Sequence, residues 1–245
     1  MRIRRQFLNR LDPDPEPHDV VVVIDVLRSF TTAAYAFAAG ARAIHPVETI
    51  VEALHLQQKL PRAVTTGAIA GGDPVPGFTY GNSPAALVKS ELHGYDVIQT
   101  TAAGVRGLCR FAHVRSLFAG SLVCARATAD AVLKRQPQDV MLLVTGEWVD
   151  RDGDEDIACA DYLEALLRGD RPNPARFEQR VRDSDFGRRF AAGTNPSLPV
   201  ADLDLCAQAD RFTFAMLAAR RGEHFVLTPE AVQAAAVSGT DVRIR

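Results

Sequence analysis

The sequence predicts an α/β protein: a three-layer α/β/α sandwich on a mostly parallel or mixed sheet, with a helical C-terminal region. Five consecutive β-branched residues, Val20 to Ile24, suit a strand covered on both faces, as strands of parallel sheets are. Short apolar runs recur at Arg42–Val47, Asp96–Gln99, Val114–Ala119 and Val140–Val144, each followed by a helix-forming segment. That alternation is the pattern of parallel strands joined by helical crossovers. Length points the same way, since 245 residues are enough for one large α/β domain with a substantial core.

In chain order, a strand is expected around Ile3–Leu8, a Pro-rich acidic loop at Asp12–Asp19, and strand 20–25. A helix follows from Thr31 to Ala39, ended by Gly40. After strand Arg42–Val47, Glu48–Leu60 reads as a helix closed by Pro61, and Ala63–Thr66 as a brief strand. Gly67 to Ser83 is Gly-rich and irregular, and a loop of that length usually has a function. Ser83-Pro84 is a helix start, with Ser as N-cap and Pro in the first turn, for a helix over 84–92. Strand Asp96–Gln99 leads through Thr100-Thr101 to a helix ending near Ala112. Strand Val114–Ala119, helix 123–135 and strand Val140–Val144 follow, then an acidic loop at Asp150–Asp156 and a helix to Arg168. Arg171–Arg221 has a helical pattern, so 170–222 is taken as the helical part of the same single domain 1–245. Phe225–Leu227 is expected as a late edge strand.

Composition excludes several functions. A formal net charge of −2 gives no footprint for nucleic acid. No run of about 18 apolar residues is present, so no membrane span is expected. The basic start, Met1 to Arg5, has no apolar region behind it and is not a secretory signal. Four scattered cysteines without a C-x-x-C pair suit buried free thiols in a reducing cytoplasm, the expected location. The six His show no zinc-ligand spacing.

Chemistry is expected at the carboxyl ends of the strands, where open α/β sheets bind ligands. Asp25 and Arg28 follow the first buried strand, Thr100, Thr101 and Gly104 follow another, and Gly146-Glu147 with the acidic loop follow a third. The glycine-rich segment adds Gly81, Asn82 and Ser83. Carboxylates, an Arg, hydroxyls and helix N-termini suit a phosphorylated substrate with a divalent cation. The same residues also fit plainer roles: Asp25 as a helix cap, Arg28 in an ion pair, and Asp154–Asp156 complementing a helix dipole.

On these residues the chain resembles the 2-phosphosulfolactate phosphatase (ComB) family. The likeness runs through Ile24-Asp25-Val26-Leu27-Arg28 with Thr31-Thr32, Gly77-Phe78, Gly81-Asn82-Ser83-Pro84, Thr100-Thr101 with Gly104 and Arg106, and Glu155-Asp156. It implies a cytoplasmic Mg²⁺-dependent phosphatase acting on a small phosphorylated, sulfonated acid, a step towards coenzyme M, with a homo-oligomer left open. It implies Asp25 and Arg28 as catalytic, and Asp25, Glu155 and Asp156 as metal ligands. Thr31, Asn82, Ser83, Thr100, Thr101, Gly104 and Arg106 would bind substrate. One position and one short stretch depart from the family pattern. Ala68 stands where relatives have Glu after Gly67, and Ala102-Ala103-Gly104-Val105 where they have Asn-Gly-Thr. Glu155 and Asp156 must then supply the further carboxylate. Two alternatives are carried beside this: a non-catalytic anion-binding relative, and an isochorismatase-like hydrolase using Cys124.

Overall fold

The computed structural model describes residues 1–11, 18–69, 72–147 and 151–232. Most of the predicted loop at 12–19 and Asp150 of the acidic loop lie outside these residues. The elements run β1 (Arg2–Phe7), β2 (Val20–Ile24), α1 (Ser29–Ala38), β3 (Ala43–Val47), α2 (Ile50–Lys59), β4 (Ala63–Gly67), β5 (Tyr80–Gly81) and α3 (Pro84–Leu87). They continue β6 (Asp96–Thr100), α4 (Ala102–Arg110), β7 (Ser116–Gly120), α5 (Ala125–Lys134), β8 (Asp139–Val144) and α6 (Asp154–Leu167). The C-terminal part holds α7 (Pro174–Asp183), α8 (Asp185–Ala191), α9 (Val200–Cys206), β9 (Phe214–Arg221) and β10 (His224–Ala231).

The apolar run in β2 is explained by cover on both faces. Val21 and Val23 join a cluster with Phe30 and Ala34 of α1 and Leu108 of α4. Val20, Val22 and Ile24 join the opposite cluster, with Ala129 of α5 and Tyr162 and Leu163 of α6. Successive strand residues point to opposite faces, so every position of a doubly covered strand is apolar. The three layers follow from this.

Close approach of α4 to the sheet and to α1 depends on two glycines one helical turn apart. A Cβ on Gly107 would sit 2.6 Å from Val23 Cγ1, and one on Gly104 would sit 2.9 Å from Phe30 Cζ. Gly107→Ala is therefore expected to destabilise by about 1–3 kcal/mol, the usual cost of overpacking, read as a lowered midpoint in urea at unchanged slope. An unchanged midpoint would show that α4 shifts outward without cost.

The sheet has ten strands among the described residues, in the order β1-β8-β2-β7-β9-β10-β3-β6-β4-β5. It is mixed. β1, β8, β2 and β7 are mutually parallel, as are β3, β6, β4 and β5. Between these blocks lies the antiparallel hairpin β9–β10, which pairs antiparallel with β7 on one side and β3 on the other. This corrects two expectations. The segment read as helical to Arg221 ends in strand β9, and the late edge strand is the eight-residue β10 in the middle of the sheet. Ala, Met, Leu and Arg in 214–221 are strong helix formers, and pairing with β7 and β10 overrides that preference. Helix 84–92 is also shorter than expected, closing at Leu87.

The inserted hairpin reverses the formal direction of one block relative to the other, yet the carboxyl ends of β2 and β6 meet. Gln99 Nε2 donates to the Ser29 carbonyl at 2.7 Å. Neighbouring strands rotate by roughly 20–25°, so five steps from β2 to β6 turn the strand direction by on the order of 100–125°. That rotation undoes much of the reversal.

Candidate active site

At this meeting point lies a cleft of about 1180 Å³, with Asp25, Arg28, Asn82, Thr100, Thr101, Glu155 and Asp156 in its wall. Asp25 follows β2 directly. Its Oδ1 accepts the Ser29 N–H at 3.1 Å and its carbonyl accepts the Phe30 N–H at 3.1 Å, so it also caps α1. Burial raises its pKa above the ordinary carboxylate range. The Ser29 bonds, Arg151 and the Thr101 hydroxyl pull the other way.

Asp156 ties two strand ends together. Its Oδ1 accepts the Val26 N–H at 2.8 Å. Its Oδ2 accepts the Gly146 N–H at 2.7 Å and the Thr145 N–H at 3.2 Å, and lies 3.3 Å from the Thr145 hydroxyl, which donates to the Ile24 carbonyl at 2.8 Å. Burial, with Glu155 and Asp25 nearby, still holds its pKa well above the usual value. Glu155 is 1% exposed, and burial pushes it up to about 7. A Cβ on Gly146 would lie 2.9 Å from Glu155 Oε1 and 3.0 Å from Asp156 Oδ2, so both carboxylates close on that backbone where a larger residue would make them shift.

Three cleft residues carry a buried oxygen with no protein hydrogen-bond partner: Glu155 Oε2, Asn82 Oδ1 and Thr100 Oγ1. Buried polar atoms are nearly always paired, and unpaired ones also occur away from the cleft, as at Gln6 Oε1 and Thr32 Oγ1. The residues fit a magnesium ion in a restricted way. Among the described residues no three His, Cys, Asp or Glu side chains are arranged to hold a metal ion. Mg²⁺ usually needs one or two carboxylates and takes its other oxygens from water and phosphate. Asp25 and Glu155 meet that need. Asp156 is held by three backbone N–H groups, from Val26, Thr145 and Gly146. Ala68 also lines the cleft and places no oxygen there.

Four expected substrate contacts lie outside the cleft wall. Thr31 is fully buried behind it, its hydroxyl 2.6 Å from both the Val26 carbonyl and Ser121 Oγ. Gly104 is packed against Phe30, as described above. Arg106 is half exposed and paired with Glu48 at 2.8 Å. Ser83 is the N-cap of α3 and turns its hydroxyl to Asp202 at 2.7 Å. Cys124 is also off the cleft. It is fully buried, and burial pushes its thiol up to about 11, so the thiolate that a cysteine hydrolase needs is disfavoured.

The α7–α9 region covers the cleft with groups that the motifs did not signal. Arg188, Arg189 and Phe186 come from α8, and Arg151 precedes α6 with its guanidinium 4.7 Å from the Phe186 ring centre. Arg188 pairs with Asp185 and the Asp183 carbonyl. This segment is rich in both Arg and Asp and carries no motif that marks those groups.

The protein is thus an α/β fold with a cleft at strand ends, lined by buried carboxylates on one side, the N-terminus of α4 on another and arginines above. Residues 7–219 match the family model described as 2-phosphosulpholactate phosphatase. A relative from Bacillus subtilis is 30% identical over 84% of this chain and 90% of its own length. One from Carboxydothermus hydrogenoformans is 44% identical over 60% of each chain, and one from Thermoplasma volcanium is 30% identical over 77% of this chain and 84% of its own. Each bears the name "Probable 2-phosphosulfolactate phosphatase". The chain belongs to the 2-phosphosulpholactate phosphatase family. No helix among the described residues is long and apolar enough to cross a membrane.

Proposed function

We propose that this protein is a Mg²⁺-dependent phosphatase that hydrolyses 2-phosphosulfolactate to sulfolactate and phosphate. Family membership supports the reaction. The observation that carries the assignment to this cleft is the buried Asp25 carboxylate beside the orphaned Glu155 oxygen, facing arginines and a helix N-terminus. Asp25 and Glu155 would hold Mg²⁺, which when bound supplies charge neutralisation for the phosphoryl oxygens.

The rest falls to the chain's own residues. Ala102 and Ala103, in the first turn of α4, line the cleft where backbone N–H groups would take phosphate oxygens. Thr101 and Asn82 line the cleft and would orient the ester, with the Thr100 hydroxyl turned onto Gly67. Arg151 and Arg188 suit a second anionic group such as a sulfonate. Stabilising developing charge accounts for most of the acceleration that phosphoryl transfer requires.

The test is phosphate release by purified protein from a panel of phosphate esters that includes 2-phosphosulfolactate. Turnover is expected to vanish with EDTA and return with Mg²⁺. Phosphate binding without turnover on any ester would favour the anion-binding relative. Inactivation by iodoacetamide would restore the cysteine hydrolase.

A further inference from the structure

Asp202, on α9, lies outside every motif that marked the site, and its side chain is fully buried. Its Oδ2 accepts Arg28 Nη1 at 2.8 Å, and its Oδ1 accepts Ser83 Oγ at 2.7 Å and the Ala85 N–H at 3.0 Å. One carboxylate thus joins the segment after β2 to the start of α3, next to the cleft residue Asn82. Arg28 is mounted by further contacts. Nη1 donates to the Ser197 carbonyl at 3.0 Å, Nη2 donates to the Gly72 carbonyl at 3.3 Å, and the guanidinium lies 5.2 Å from the Phe190 ring centre.

These bonds use both hydrogens of Nη1 and one of Nη2. The Nε–H and the second Nη2–H have no partner among the described residues, enough for a two-point contact with an oxyanion at the cleft wall. An arginine serves such a contact only if its plane is fixed, and a buried carboxylate taking three donors is a rigid mount.

We infer that Asp202 is a positioning residue: it fixes the Arg28 guanidinium, and the Ser83 cap beside Asn82, so that Arg28 meets an anionic group of the substrate. The inference rests on the phosphatase reading for its kinetic test and on anion binding alone for a second test.

With Mg²⁺ and 2-phosphosulfolactate, Asp202→Asn is expected to raise KM, and the inhibition constant of inorganic phosphate, by at least roughly tenfold, with kcat per folded site changed less than about threefold. Asp202→Glu keeps the charge, moves it by one methylene, and should give a smaller rise in the same two constants; it carries the test if Asp202→Asn does not fold. In an Arg28→Lys background, Asp202→Asn should add less than about twofold, because both changes act through one group. Unchanged KM and phosphate inhibition, or effects of the two substitutions that multiply in full, would overturn the inference. A loss of kcat per folded site at unchanged KM and phosphate inhibition would do so too, since it marks a group felt only in the transition state and not in anion binding. If the wild type turned over no ester, the phosphatase reading would fall. Calorimetric titration with inorganic phosphate would then decide on Asp202 alone, with Kd expected to rise by the same factor and an equal Kd counting against it.

Discussion

Asp25→Asn is expected to lower kcat by roughly 10³-fold or more while leaving the protein folded, because in the proposed reaction it removes the charge that would face the phosphoryl group. The substitution is nearly isosteric and keeps the oxygen that accepts the Ser29 N–H. The native carboxylate sits in surroundings that raise its pKa, so its ionised form is costly to the fold at neutral pH. A melting temperature equal to or above that of the wild type should therefore accompany the lost activity. Equal turnover by the two proteins would show that Asp25 is the wrong centre. Lost activity with a lower melting temperature would instead point to its capping of α1.

The second large effect concerns Glu155. Its side chain holds a proton up to about pH 7 in the folded protein, against 4.5 for an ordinary glutamate. Between those values the unfolded chain ionises and the folded one does not, so the contribution is complete below pH 4.5 and is lost as pH rises through 7. The loss is on the order of 3 kcal/mol. Asp25 and Asp156 are shifted upward as well, which steepens the slope. Glu155→Gln cannot ionise. Thermal melts in EDTA should find it close to the wild type at pH 5 and roughly 6–12 °C more stable at pH 8. Adding Mg²⁺ at pH 8 should stabilise the wild type and not the variant, since a bound cation favours the ionised carboxylate. Parallel melting curves across this pH range would show that Glu155 is ionised in the fold, and an equal Mg²⁺ response would remove it from the metal site.

Much of the architecture was legible because the signals were local. The Val20–Ile24 run reports cover on both faces, Ser83-Pro84 is a helix start in two residues, and Asp25 stands where a buried strand gives way to a helix. The sheet order was not legible. Residues 214–221 read as helix because Ala, Leu and Arg favour helices, whereas their strand is imposed by partners nearly a hundred residues away in β7 and by β10. The site was legible to a similar depth. Asp25, Glu155, Asn82, Thr100 and Thr101 share one cleft. Thr31, Ser83 and Gly104 belong to the same motifs but pack or hydrogen-bond behind the cleft wall, and Arg106 lies off it in an exposed ion pair with Glu48. A motif records that its residues act together, without saying which of them faces the ligand.

The sequence by itself determined the layered α/β class and the acid at the end of the first buried strand, since strand burial and helix starts are written in neighbouring residues. Tertiary structure alone decided that a C-terminal hairpin splits the sheet, that Asp156 is committed to backbone donors, and that Arg28 is clasped by Asp202. Those outcomes depend on long-range pairing, sheet twist and the desolvation of charges drawn from opposite ends of the chain, none of which a local pattern encodes.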